Sequence, residues 1–184
     1  MQSGTVNEKR AAAIRMAHSI LEKKSFKEAA HAVFESCREL TGAQSGYVAL
    51  LSRDGKENEV LFLESGGLPC SVDPDLPMPV RGLRADAYRM RAAVYENDFM
   101  NSRWVQYMPD GHVELRNVIF APLCIEQETV GIIGLANKPF DFSEDDVKLV
   151  TVLGELAALA LENSRLIERL NNITKDLFVT LHEP

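Results

Sequence analysis

The fold is decided by one stretch of the sequence, which reads VIFAPLCI over residues 118–125, EQE over 126–128 and TVGIIGLA over 129–136. Both apolar runs have the length of strands and contain the β-branched residues that strands favour. The three polar residues between them are typical of a short connection. The stretch therefore predicts a β-hairpin.

A second hairpin is predicted upstream of this one. Residues 47–51 and 60–63 are short β-rich runs, and Asp54-Gly55 between them is a strong turn signal. Before this hairpin, apolar residues recur at helical spacing from residue 7 to residue 40, with a break near Ser25 that has the pattern of a helix cap. We therefore expect two helices in front of the sheet.

The segment between the hairpins is predicted to consist mostly of loops and short elements. Four prolines and two glycines over residues 66–79 favour an irregular loop. A helix is expected over 81–90 and a short strand over 93–95. The Trp- and Tyr-containing residues 100–111 are compatible with one further helix.

A long helix is predicted after the second hairpin, because Ser143 and Asp146 have the spacing of a capping box. Apolar residues then recur every three or four positions over most of residues 147–181, which favours a helix with a partner seam. The core of one small domain cannot cover such a helix, so we expect two copies to pack there. The predicted seam consists of Val150, Leu153, Ala157, Ala160, Ser164 and Ile167.

Composition limits the function classes. The 184 residues carry 20 Lys and Arg against 27 Asp and Glu, a formal net charge of −7, and 46% are apolar, so a packed core is expected. The scattered cations do not form the basic surface that nucleic acids require. No apolar stretch approaches the roughly 20 residues that span a bilayer, and the N-terminus does not resemble a secretory signal. We therefore expect a cytoplasmic protein that binds neither nucleic acid nor membrane.

The cysteines and histidines do not predict a metal centre. Cys37, Cys70 and Cys124 are widely spaced and contain no C-x-x-C pair, so neither a disulfide framework nor a zinc site is expected. The four histidines are dispersed along the chain. His112 and Glu114 alternate on one predicted strand face, but two ligands are too few for a metal site.

With its elements in this order, the chain resembles a GAF domain over residues 25–165. The resemblance is carried by Gly82 opening a helix and by residues 93–98, 118–123, 130–138, 142–146 and 156–165. It implies an α+β, PAS-related fold with a six-stranded antiparallel sheet. Helices from both termini would pack on one face, and a small-molecule pocket would lie on the other under the middle loops. It also implies a sensory or dimerisation module rather than an enzyme.

One specialised group of the family binds cyclic nucleotides. Its members share a motif that consists of Asn-Lys, Phe and Asp-Glu. The matching residues here are Asn137-Lys138, Phe142 and Asp146, with a departure at Val147. The resemblance implies a Lys138–Asp146 salt bridge that ties a loop to the long helix. Nucleotide binding is the alternative use of the motif.

Two other versions match less well. Bilin binders attach their chromophore through a cysteine beside a histidine, and this chain has Gly111 beside His112, so no covalent bilin is expected and the cofactor stays unknown. Noncovalent use of His112 remains open. Free methionine sulfoxide reductases need a thiolate with a resolving cysteine nearby. Cys70 lies in the corresponding loop without such a neighbour, so an enzyme using Cys70 is the lesser alternative.

The candidate pocket is placed in the middle of the chain, where aromatic surfaces and hydrogen-bonding groups occur together, as in many ligand sites. In the alternative interpretation, Trp104 and Tyr107 cover the sheet and Asn97-Asp98 cap the next helix. The candidate residues are Tyr95, Asn97, Asp98, Trp104, Tyr107, His112, Arg116 and Asn117.

These features together predict a GAF sensory and dimerisation module of a signal-transduction protein such as a two-component system. Residues 1–24 would form a dimerisation helix, 25–165 the domain and 166–184 a helical extension towards an output domain such as a histidine kinase, a cyclase or a phosphodiesterase. A ligand-free dimerisation scaffold is the second hypothesis. Because the last residues still have a helical pattern, the chain is either an excised part of a longer protein or a free-standing module.

Overall fold

A computed structural model describes residues 14, 15, 17–23, 25–73 and 76–182, the last seven by their backbone alone. A short helical segment over 17–21 precedes helix α1 (Phe26–Thr41). The Ser25 hydroxyl caps α1 by accepting a hydrogen bond from the Glu28 backbone N–H at 3.4 Å. The predicted break between two helices is therefore confirmed, and the part of that prediction over residues 1–13 lies outside the described residues.

The strands are β1 (Ser45–Leu51), β2 (Asn58–Glu64), β3 (Val94–Glu96), β4 (Val118–Ile125) and β5 (Glu128–Ala136). They form one antiparallel sheet in the order β2-β1-β5-β4-β3. Both predicted hairpins are confirmed, because β1 pairs with β2 and β4 pairs with β5. The two hairpins are joined through the central pairing of β1 with β5.

The described residues form five strands, not the six that the resemblance implies. Residues 78–80 run alongside the start of β2, where backbone hydrogen bonds of 2.8 Å join them to Lys56 and Asn58. Pro77 and Pro79 have no N–H group, so this pairing does not continue as a ladder. The proline-rich loop therefore contributes an isolated bridge in place of a further strand.

The region between the hairpins contains helix α2 (Leu83–Met90) and strand β3, as predicted, but no single helix over 100–111. Two single-turn 3-10 helices, Phe99–Asn101 and Val105–Tyr107, take its place. Ser102 separates them, because its hydroxyl donates to the Phe99 carbonyl at 2.7 Å and accepts from the Trp104 N–H at 3.2 Å. Such local side-chain bonds compete with a continuous helix.

The main core lies between one face of the sheet and two helices, α1 and the long helix α3 (Glu144–His182). Side chains that point to opposite faces alternate along β4, and Ile119, Ala121 and Leu123 point into this core. The core includes Val33, Phe34, Val48, Ile119, Ile133, Val150, Leu153 and Ala157.

Burial within the chain changes the interpretation of the predicted dimer seam. Val150, Leu153 and Ala157 are fully buried against their own sheet and α1, and Ala160 and Ser164 are also buried. Ile167 is the exposed member of the set, at 45%. The first five side chains therefore have an intramolecular packing role, because a helical period reveals an apolar stripe but not what covers it.

Candidate functional site

The face of the sheet opposite α1 and α3 is covered by α2 and by residues 97–117, which we call the middle segment. A second apolar cluster fills the space beneath them, with Tyr47, Trp104, Met108 and Leu115 packed at its margin. This is the face on which the resemblance places a ligand pocket, and we call it the covered face. The buried residues of the cluster are Ala49, Leu83, Ala87, Phe99, Val118, Phe120, Ile132 and Ala136.

The covered face holds a buried hydroxyl without a hydrogen-bond partner. Tyr47 Oη has none among the described residues. Burial raises the pKa of Tyr47, and the positive charge of the nearby Arg84 guanidinium opposes that shift. The Tyr47 hydroxyl and the Arg84 guanidinium do not form a hydrogen bond of good geometry. Arg84 is half-buried on α2, and no carboxylate of the described chain lies within ion-pair distance of it. Buried polar groups without partners are costly, so such groups are candidates for binding a ligand. We call Tyr47 and Arg84 the polar spot of the covered face.

The sequence interpretation missed Tyr47 and Arg84, although one signal was available. A Cβ added at Gly134 would lie 2.6 Å from Tyr47 Cε1, so this glycine lets the tyrosine ring approach β5 closely. Glycine inside a strand marks such a close approach. Tyr88 on α2 lies nearby, but its hydroxyl has a hydrogen-bond partner, because it donates to Asn58 Oδ1 at 2.7 Å.

Four of the eight predicted pocket residues connect the middle of the chain to the start of α3. Asn97 makes two hydrogen bonds with the backbone of Phe142, one from its Nδ2 to the carbonyl at 3.0 Å and one from the Phe142 N–H to its Oδ1 at 2.8 Å. Tyr95 donates its hydroxyl to Glu144 Oε1 at 3.2 Å, and this carboxylate raises the pKa of Tyr95. Both contacts reach the residues on either side of the α3 N-terminus.

The other two residues of this set, Arg116 and Asn117, bind the connection between β5 and α3. The Asn117 side chain is completely buried and donates to the carbonyls of Lys138 and Phe140 at 3.1 and 2.8 Å, while it accepts from the Lys138 N–H at 2.9 Å. Arg116 donates to the Pro139 carbonyl at 2.8 Å. We call this set of bonds from Tyr95, Asn97, Arg116 and Asn117 to residues 138–144 the α3 bracket.

The Lys138–Asp146 ion pair lies next to the α3 bracket. Lys138 Nζ lies 2.6 Å from Asp146 Oδ2, and both side chains are largely buried. The same carboxylate accepts from the N–H and hydroxyl of Ser143, both at 2.8 Å, which forms the predicted capping box. Burial raises the pKa of Asp146, but the bonds and charge of Lys138 and Ser143 outweigh it and hold that pKa below its ordinary value. The pair therefore contributes stability above the ordinary carboxyl pKa, and this contribution is lost as the pH falls through the lowered value.

The remaining four candidate residues lie apart from the bracket. Trp104 packs on the covered face with the Arg103 guanidinium 4.2 Å from its ring, and its ring centroid is 6.5 Å from that of Tyr107. His112 Nδ1 lies 2.7 Å from the Val113 carbonyl. Asp98 accepts from Asn101 at 2.9 Å. The structure thus divides the eight residues into two groups. The bracket group is Tyr95, Asn97, Arg116 and Asn117, and the covering group is Asp98, Trp104, Tyr107 and His112.

Gly82 allows the middle segment to approach α2. Its φ of 65° is rarely adopted by residues with a side chain, and an added Cβ would lie 3.0 Å from the Tyr107 ring. Arg81 next to it donates to the Tyr107 carbonyl at 3.1 Å. The turn that begins α2 therefore also fixes the position of Tyr107.

The three cysteines, all of them in the described part of the chain, are free thiols. Burial raises the pKa of Cys37, and it also raises that of the half-buried Cys124, so both are poor sources of thiolate. Cys70 is exposed. Among the described residues, no three metal-ligating side chains lie close enough together to hold an ion.

One open depression, of about 790 Å³, lies away from the covered face, between the helical segment 17–21, the start of α1 and β2. None of the eight candidate pocket residues lines it. Among the described residues, none of the helices combines the length and the apolar composition that a bilayer span requires.

Comparison with protein families gives a match to the GAF domain model over residues 23–162. A curated relative, the methyl sulfide methyltransferase-associated sensor of Methanosarcina acetivorans, is 27% identical over 160 residues. The match covers 83% of this chain, and the chain spans 16% of that relative's length.

Solved structures with the same fold include GAF domains and an enzyme. The GAF domain of a phosphoenolpyruvate-protein phosphotransferase from Coxiella burnetii has a TM-score of 0.73 at 14% identity, with 86% of this chain and 95% of that chain covered. Free methionine-R-sulfoxide reductase from Neisseria meningitidis has a TM-score of 0.71 at 16% identity, with 86% and 90% covered. At these identities the likeness concerns the fold alone.

Proposed function

Because the chain belongs to the GAF domain family, we propose that it is a cytoplasmic sensory and dimerisation module of a signal-transduction protein. A small molecule binds on the covered face, and its presence is relayed along α3 to an output domain such as a histidine kinase, a cyclase or a phosphodiesterase. Residues 25–165 act as the sensing domain, with the flanking residues as helical extensions. A relative that is named a sensor supports this proposal.

The observation that carries the proposal is the α3 bracket. The covered face is filled by side chains, so a ligand needs the middle segment to move aside. That segment begins at Asn97 and ends at Asn117, which are both hydrogen-bonded to the residues just before α3. Its displacement therefore shifts the start of the long helix. A ligand transmits a signal in this way only through its higher affinity for the displaced state.

The polar spot defines the chemistry of the ligand. The Tyr47 hydroxyl and the Arg84 guanidinium are both donors, and they lack a carboxylate partner in the described part of the chain. A guanidinium binds planar oxyanions best. We therefore propose a small molecule that carries a carboxylate, with an apolar part that contacts Phe120 and Trp104 at the same face.

Replacing Tyr47 by phenylalanine should separate binding from folding. In a thermal-shift screen of small carboxylates, including amino acids and dicarboxylates, a ligand at 100 times its Kd should stabilise the wild type by about 2.7 kcal/mol. Tyr47→Phe should bind the same ligand about tenfold more weakly, because a hydrogen bond to a charged group is lost. Without ligand, the variant should be at least as stable as the wild type, because an unpartnered buried hydroxyl is removed.

The matched control is Tyr107→Phe, which removes an exposed hydroxyl from the covering group and should leave binding unchanged. If no carboxylate shifts the melting temperature of the wild type, the ligand class is wrong. In that case the ligand-free scaffold, which is supported by the side chains that fill the covered face, becomes the better account.

A further inference from the structure

Strand β1 carries a second buried hydroxyl without a hydrogen-bond partner. Among the described residues, Ser45 Oγ and Tyr47 Oη are the buried side-chain polar atoms that lack one. Ser45 is only 3% exposed, so bulk solvent does not replace the missing bond. Two such groups on one strand need an explanation, because buried polar groups are costly without partners and nearly always have one.

Two observations place Ser45 on the same face of the sheet as Tyr47. Successive side chains of a strand point to opposite faces, and Ser45 precedes Tyr47 by two residues. Ser45 also lies opposite Ala136 in the pairing of β1 with β5, and Ala136 belongs to the apolar cluster of the covered face. Both unpartnered hydroxyls therefore face the covered face, from Cα atoms about 7 Å apart along the strand.

The side-chain amides at this end of the sheet are engaged elsewhere. Asn137, which directly follows β5, accepts from the Arg116 N–H at 2.9 Å and donates to the Glu114 carbonyl at 3.1 Å. Asn117 uses both its carbonyl and its amino group on the connection between β5 and α3. The Ser45 hydroxyl thus remains available for a group that does not belong to the chain.

The surroundings of Ser45 favour an uncharged group that can both donate and accept a hydrogen bond. A serine hydroxyl does both, so its best partner does the same. On the covered face, the row that begins at Ser45 continues across the sheet through Ala136 and Val118, which are apolar and buried. A charged group would lose its water there without a counter-charge from these side chains, which is costly. A ligand hydroxyl meets both conditions.

We propose that Ser45 is a specificity-determining residue of the covered face and binds a hydroxyl group of the ligand. This role of Ser45 rests on the proposed function and deepens it by naming the second polar group of the ligand. The polar spot of Tyr47 and Arg84 binds the carboxylate, so the ligand is a hydroxy acid. Strand β1 lies between β2 and β5, so Ser45 keeps its position when the middle segment moves aside.

The test compares carboxylates that differ by one hydroxyl: propionate and lactate, succinate and malate, phenylacetate and 4-hydroxyphenylacetate. Affinities for the full chain are measured by isothermal titration calorimetry. In at least one pair, the hydroxylated member should bind the wild type roughly five- to tenfold more tightly, because it gains one buried hydrogen bond. Ser45→Ala should bind the two members of that pair equally, with the affinity for the member without the hydroxyl unchanged.

Ser36→Ala is the matched control. Ser36 is also buried, but it lies on α1 and its hydroxyl donates to the Ala32 carbonyl at 2.7 Å, so its replacement should leave both affinities unchanged. Carboxylate binding without a preference for the hydroxylated member, or a preference that survives in Ser45→Ala, overturns this role of Ser45 but leaves the proposed function standing. If none of the carboxylates binds, this role and the proposed ligand class both fail.

A measurement without ligand tests whether the Ser45 hydroxyl is unpartnered in the free protein. The melting temperature of Ser45→Ala should be at least that of the wild type, because the substitution removes a buried hydroxyl that makes no bond in the folded chain. A melting temperature several degrees below that of the wild type would show that the hydroxyl is already bonded. That result overturns the role of Ser45 and leaves the carboxylate site at Tyr47 and Arg84 standing.

Discussion

Replacing Asn117 by leucine is expected to lower the free energy of unfolding by about 1.5 to 4.5 kcal/mol, because three partly buried hydrogen bonds to the backbone are lost at about 0.5 to 1.5 kcal/mol each. Asn117 is completely buried, and its amide satisfies the carbonyls of Lys138 and Phe140 and the N–H of Lys138. Leucine has the same branched skeleton but no hydrogen-bonding group. Urea denaturation followed by circular dichroism measures the change.

Asn101→Leu is the matched control for this prediction. Asn101 is exposed, and its side chain makes one local hydrogen bond, to Asp98. Its replacement should change the free energy of unfolding by no more than about 0.5 kcal/mol. Equal denaturation midpoints for Asn117→Leu and the wild type would show that the connection between β5 and α3 does not depend on the α3 bracket.

Truncation of Leu153 is expected to destabilise the folded chain by about 2 to 5 kcal/mol, as buried leucines do when a cavity replaces them. Leu153 lies in the core shared by α1, α3 and the sheet. Ile167→Ala on the same helix removes a half-exposed side chain, so it should leave the unfolding of the domain nearly unchanged and weaken the dimer instead. Denaturation and light scattering on both variants give the two readouts.

The two variants distinguish the packing role of Leu153 from the seam that the sequence predicts. If the Leu153→Ala variant keeps the wild-type free energy of unfolding and becomes monomeric, the predicted seam through Val150, Leu153 and Ala157 is correct. These side chains would then have to leave the core of their own chain to form the dimer contact. The expected opposite result assigns the dimer contact to the exposed residues of α3.

Much of the fold could be predicted because its signals are local. The two hairpins follow from β-rich runs around short turns, and the start of α3 follows from Ser143 and Asp146, three residues apart. The number of strands was not predictable in this way. It depends on Pro77 and Pro79 beside the start of β2, where their missing N–H groups stop a ladder.

The candidate site was harder to predict because its bonds connect distant parts of the chain. The sequence singles out Asn97 and Asn117 as hydrogen-bonding residues, but their partners lie 45 and 21 to 23 residues away, respectively. No local pattern indicates which backbone groups an amide side chain will bond to. Tyr47 and Arg84 come together only when α2 packs on the sheet. Apolar residues of α3 recur at helical spacing on more than one face, so spacing alone could not show that Leu153 packs inside the domain while Leu166 is exposed.

The central claim, that the middle segment is mechanically coupled to α3, is tested most directly by hydrogen–deuterium exchange of Asn97→Leu. This variant breaks both bonds between Asn97 and the Phe142 backbone. The account predicts faster exchange in the middle segment and also at residues 147–155 of α3, which lie beyond the broken bonds, because local stability is shared across a coupled unit. Asn101→Leu should speed exchange in the middle segment alone. Exchange at residues 147–155 that is the same in Asn97→Leu and the wild type would contradict the account.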